Sequence, residues 1–123
     1  MTEDPFRVES PGDPAALERL HRWGGDALRT QIVEMFLARA PAQIAAALAA
    51  AQRGDAEEVR KVAHTLKSSA GQLGAVTVQR LCQDAEHRAE SGESSSLVPL
   101  VHTLANELER FRAWLYDAEG GGM

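Results

Sequence analysis

The histidine at position 64 stands apart from the other reactive side chains of this sequence because of where helical spacing puts it. In the segment 55–73, Val59, Val62, Ala63, Leu66, Ala70 and Leu73 recur at the helical repeat of about 100° per residue and form one apolar stripe. His64 lies about 160° from Leu66 on the same wheel, which predicts an imidazole in water midway along a helix. Lys67 follows at i+3, Ser68 at i+4 and Gly71 at i+7, with Arg60 and Lys61 one turn before. Helical side chains lean toward the N-terminus, so the small Ser68 and Gly71 are expected to leave the ring open to approach. A glycine inside a helix costs about 1 kcal/mol relative to alanine, so Gly71 points to a close neighbour.

Those residue types suit one chemistry. A neutral imidazole, with a reference pKa of about 6.5, has a nucleophilic nitrogen that can take up a phosphoryl group as a phosphoramidate. The ammonium of Lys67 would offset the charge that arrives. The sequence has no glycine-rich phosphate loop, no Walker lysine and no carboxylate cluster for magnesium, so a phosphoryl group must come from another protein and leave to another. A phosphoryl carrier is one reading of the wheel. An ordinary solvated histidine between lysine and serine is the other, and periodicity alone does not separate them. His21, His87 and His102 fit no comparable pattern, and no two histidines stand at i, i+4 for a helical metal clip. Cys82 falls on an apolar stripe and reads as a small core residue.

The elements that hold His64 are helices. Asp13-Pro14 is a helix-start pair, and a short helix over about 14–22 is expected to end before Gly24-Gly25. Asp26 opens a longer helix in which Leu28, Ile32, Met35 and Phe36 recur at helical spacing. Pro41 is expected to kink it near 37–41, and Gly54 to close it. Asp55-Ala56-Glu57-Glu58 caps the His64 helix and Gly74 stops it. Further helices are predicted over about 75–91 and 97–117, with Ser91–Ser96 as a loop. The fold class expected is all-α: an antiparallel up-down-up-down four-helix bundle with a short additional N-terminal helix packed across one end. Residues 1–13 read as an extended arm, 14–118 as the bundle and 119–123 as a tail.

Composition narrows the partners. Alanine fills 21 positions and aromatic residues only 5%, which suits close-packed helices better than a β-sandwich. The net charge of −5 argues against nucleic acid as the main partner. A single cysteine excludes an internal disulfide. No apolar stretch of roughly 18 residues is evident, and MTEDPFRVES is unlike a signal peptide, so a cytoplasmic protein with no membrane association is expected.

The run His64-Thr65-Leu66-Lys67-Ser68-Ser69-Ala70-Gly71-Gln72-Leu73-Gly74-Ala75 resembles the signature of histidine-containing phosphotransfer domains, His-x-Leu-Lys-Gly/Ser-small-small-x-x-Leu-Gly-Ala. The resemblance extends upstream through Phe36, Pro41, Ile44, Leu48, Gly54-Asp55 and Ala63, and downstream through Leu81-Cys82 and Glu86. It covers residues 25–92 well, and the last helix by pattern only. It implies a phosphorelay intermediate of two-component signalling in which His64 is phosphorylated and Lys67 supports the phosphoryl group. Ser68 stands where the family often has glycine. Glu86 falls where Gln or Glu often lies near the imidazole, and it reads either as a hydrogen-bond partner that orients His64 or as a solvated glutamate. The partners implied are response-regulator receiver domains and a sensor or hybrid histidine kinase. Arg60, Lys61, Ser68 and Gly71 would face them. Leu17, Leu20, Trp23 and Ile32 are candidates for apolar docking, though residues of these types more often belong to the core. No cofactor of its own is implied, magnesium belonging to the receiver, and the chain is expected to act as a monomer. A non-catalytic helical adaptor that binds receivers or kinases without phosphotransfer is the alternative.

Overall fold

The computed structural model describes residues 10–118. Among them are four α-helices and one turn of 3-10 helix, in the order α1 (Pro14–Gln52), α2 (Ala56–Leu73), α3 (Val76–Glu90), the 3-10 turn Ser94–Ser96 and α4 (Leu97–Ala118). Each helix packs against its successor, and α4 returns to α1, so the four surround one core. The expected tail 119–123 and most of the expected arm lie outside the described residues.

The starts of α1 and α2 follow acidic caps. The Asp13 carboxylate accepts from the Ala15 N–H at 3.0 Å, with Pro14 beginning the first turn. The Asp55 carboxylate accepts from the Glu58 N–H at 3.1 Å, and Glu57 and Glu58 occupy the first turn of α2, where the helix dipole favours acids. Residues 11 and 12 are packed rather than loose, with Gly12 against the Trp114 ring.

α1 is interrupted inside the Gly24-Gly25 pair, before which the short first helix was expected to end. The break lies at Gly25, whose φ of 69° and ψ of −163° leave the helical region, and the N-terminal part runs up to that residue instead of ending near 22. That backbone conformation is essentially restricted to glycine. The helix continues through Pro41, as expected of a proline that does not stop it, and Pro41 sits on its exposed side. There, water can satisfy the carbonyl that proline leaves without a donor. The expectation of no apolar stretch of membrane length is corrected. By length and composition alone α1 is apolar enough to cross a membrane, with a window of mean hydropathy 1.4. Much of that apolarity is the alanine-rich run in which Ile44, Ala47, Ala50 and Ala51 lie in the bundle core.

The core holds Val59, Leu66, Ala70 and Leu73 of α2 against Val78, Cys82 and Ala85 of α3 and Val101, Leu104, Leu108 and Phe111 of α4. Phe111 is fully buried, with its ring 5.9 Å from Phe36 edge-on and 5.7 Å from Trp114 in a stacked arrangement. The α2–α3 connection is only Gly74-Ala75, with Gly74 left-handed at φ 74° and its N–H returned to the end of α2. The Asp13 N–H donates to the Gly74 carbonyl at 2.8 Å, so the start of α1 is fastened to this turn. Seven residues separate the turn from Leu66, the anchor of the stripe opposite His64.

Candidate functional site

The His64 side chain is 63% exposed, on the face of α2 opposite the buried stripe. Its Nδ1 lies 2.9 Å from Oε2 of Glu86 on α3. A carboxylate can only accept, so Nδ1 carries the hydrogen, and the neutral ring holds its lone pair on Nε2. Lys67, one turn further along α2, places Nζ 2.5 Å from the other oxygen, Oε1, of the same glutamate. Glu86 is thus bracketed, one oxygen on the imidazole and one on the ammonium, with its own side chain only 11% exposed.

Burial alone would push the Glu86 carboxyl up. The hydrogen bonds from Lys67 and His64, together with their charges, outweigh it and hold Glu86 below the ordinary carboxylate range. The group is therefore ionised at neutral pH. It is one of two buried polar or charged residues, with Thr77, among the described residues. Its two partners explain how a carboxylate is tolerated there. Cys82, one turn before Glu86, is a free thiol sealed in the core, and burial pushes it up to about 12. Its thiolate is therefore not populated near neutral pH.

The other residues singled out from the sequence take varied positions. Arg60 is half-buried and forms a two-pronged pair with Glu57, at 3.1 and 2.8 Å, which raises the guanidinium and lowers the carboxyl. Lys61 and Ser68 are exposed on the His64 side. Gly71 is only half-buried, and the expectation that an outside partner explains this glycine needs correction. A Cβ placed there would lie 2.8 Å from Nε2 of Gln79, so the close neighbour is α3 of the same chain. Gln79 was not singled out by the sequence, although it stands two turns before Glu86 and therefore on the same side of α3.

Of the apolar docking candidates, Leu17 and Leu20 belong to the core. Trp23 is 74% exposed and Ile32 is half-buried. Both line a groove that reaches Gly71 and Gln72 of α2, and a neighbouring groove runs past Ile32, Met35, Thr65 and Ser69. An apolar surface therefore borders the helix that carries the imidazole. Among the described residues no group of three His, Cys, Asp or Glu side chains is placed to hold a metal ion.

The sequence matches the family model of the Hpt domain over residues 31–114. The chain belongs to the Hpt domain family. It is a histidine phosphotransfer protein, an intermediate of a phosphorelay. The fold also superposes on the crystal structure of histidine-containing phosphotransfer protein B (HptB) from Pseudomonas aeruginosa PAO1, with a TM-score of 0.83 and 24% sequence identity over 94% of this chain and 99% of that one. No curated protein sequence gives a significant match. Hpt domains are phosphocarriers that interact with receiver domains and histidine kinases. The matched residues of this Hpt domain include His64, Lys67 and Glu86; Trp23 and the Gly25 break precede them.

Proposed function

We propose that His64 is the residue phosphorylated in this Hpt domain, accepting the group from a receiver aspartate or a kinase and passing it to a second receiver. The observation that carries the reading is the Glu86 contact to Nδ1, which leaves the lone pair on Nε2 of an exposed ring. Nε2 attacks phosphorus, the P–O bond to the donor breaks, and its electron pair returns to the donor carboxylate. Lys67 supports the phosphoryl group. In the unphosphorylated protein its ammonium rests on Glu86, one helical turn from His64, and it exchanges part of that contact for the incoming oxygens.

Lys61 and Ser68 face the partner, with Arg60 adding a charge already shared with Glu57. Gly71, Trp23 and Ile32 continue that face as an apolar groove. The basic groups complement a receiver's acidic pocket, and the magnesium needed for transfer is the receiver's. The chain uses no cofactor of its own and has no catalytic activity apart from its partners. We read the helices as an up-down-up-down bundle with residues 14–24 as a short additional helix, acting as a monomer in the cytoplasm.

The test is incubation with a phosphorylated receiver domain. A base-stable, acid-labile label on His64, absent from His64→Gln, is expected; no label on His64 overturns the assignment. Full signalling output from His64→Gln would instead favour an adaptor.

A further inference from the structure

We propose that Arg60 is a second phosphoryl-holding side chain, kept on Glu57 while His64 is free and handed to the phosphoryl group once His64 carries it. The inference rests on His64 being the phosphorylated residue. It adds a cation on the turn before the ring, where Lys67 stands on the turn after.

The seam between α2 and α3 places the guanidinium there. Gly71 meets Gln79 and His64 meets Glu86, so two turns toward the start of α2 match two turns toward the end of α3. One further turn in that register sets Arg60 opposite Glu90. The electrostatics agree: the guanidinium is held above its ordinary range chiefly by Glu57, with Glu90 and Glu86 adding to the effect. Residues four apart on a helix have Cβ atoms about 5–6 Å from each other, and helical side chains lean toward the N-terminus. The His64 ring therefore leans over the turn that carries Arg60.

What restrains Arg60 is local and weak. Its Nε and one terminal nitrogen donate to the two oxygens of Glu57 at 3.1 and 2.8 Å. The Glu57 side chain is 62% exposed and that of Arg60 32% exposed, so water competes for the pair and it exchanges readily. A phosphoryl group brings about two negative charges and three acceptor oxygens to the next turn, against the single charge of Glu57. The planar fork of a guanidinium fits either acceptor, because each offers it two oxygens.

The bonds made and broken are those of the transfer itself. Nε2 bonds to phosphorus, the donor's P–O bond breaks, and the electron pair stays on the donor oxygen. Arg60 contributes hydrogen bonds to the phosphoryl oxygens and nothing covalent. Its charge stabilises phosphorylated His64 and so draws the transfer equilibrium toward the carrier. Glu57 is a positioning residue that acts through Arg60: it competes with the phosphoryl group and limits that pull.

The full chain and its variants are loaded with potassium phosphoramidate, and the phosphoryl ionisation of phospho-His64 is followed by phosphorus-31 NMR from pH 5 to 9. Arg60→Gln is expected to raise that ionisation by about half a unit or more, and Glu57→Gln to lower it. In an Arg60→Gln background, Glu57→Gln is expected to have a clearly smaller effect, and Arg60→Lys to keep part of the wild-type shift. Phosphorylation of the wild type is also expected to displace the Arg60 Nε–H resonance, identified by its loss in Arg60→Lys. An ionisation unchanged in Arg60→Gln, or a Glu57→Gln effect of full size without Arg60, overturns the inference and leaves His64 as the phosphorylated residue. An Arg60 resonance unmoved by phosphorylation overturns it equally, and that measurement is made on the wild-type protein. A phosphoryl group found elsewhere than on His64 overturns the assignment beneath it.

Discussion

His64 and Glu86 stand 22 residues apart in the chain, and their Nδ1 and Oε2 atoms meet at 2.9 Å across the α2–α3 contact. The tight Gly74-Ala75 connection brings α3 back along α2 and thereby sets a buried carboxylate behind an exposed imidazole. The pair joins a group that must face a partner to a group that must be shielded from water.

Glu86 should make stability depend on pH in a definite direction. Its carboxyl is held below the ordinary range in the fold, so the unfolded chain binds this proton more readily than the folded one. The stabilisation is complete above the unfolded carboxylate pKa of about 4.3 and is lost as pH falls through the lower folded value. The melting temperature of the wild type should exceed that of Glu86→Gln most at neutral pH, and the gap should close below about pH 4. A gap that widens on acidification would contradict this.

Removal of the ammonium should separate transfer from folding. Lys67→Ala keeps the α2 core stripe and deletes one charge-assisted contact to Glu86. Phosphotransfer from a receiver should slow by about ten- to a hundredfold, the equivalent of one hydrogen bond to a charged group. Helical circular dichroism should be preserved. Wild-type transfer kinetics in this variant would remove Lys67 from the mechanism.

Two left-handed glycines provide a matched pair. Gly54 has φ 76° with nothing within 4 Å of a Cβ, whereas Gly74 has φ 74° and a Cβ would lie 2.7 Å from the Asp13 carbonyl and 2.8 Å from the Ala16 methyl. Gly54→Ala should cost about 1–2 kcal/mol, the left-handed penalty alone. Gly74→Ala should cost clearly more in urea unfolding, because backbone must move as well. Equal losses would mean that the start of α1 is not fastened to the turn.

Gly71 and Gln79 should be coupled. Gly71→Ala gains helix propensity of about 1 kcal/mol but must displace the Gln79 amide. In a Gln79→Ala background the gain should appear in full, and a double-mutant cycle should show a coupling above about 0.5 kcal/mol. Additive effects would mean that Gln79 swings aside at no cost.

Much of the molecule could be read from the linear sequence, for local reasons. The stripe from Val59 to Leu73 places His64 on the far side of α2 because 100° per residue is a property of one helix alone. Asp13, Asp55 and Gly74 mark helix ends because capping uses atoms within a few residues. Tertiary structure decided what lies between helices. Whether Glu86 is solvated or bracketed by His64 and Lys67 depends on the rotation and register of α3 against α2, which no single-helix period contains. The same holds for Gly71, whose neighbour Gln79 belongs to the other helix, and for Leu17 and Leu20, which the packing buries while leaving Trp23 in water. The break in α1 at Gly25 belongs with the local features, because a conformation open to glycine alone is marked in the sequence by the Gly24-Gly25 pair itself.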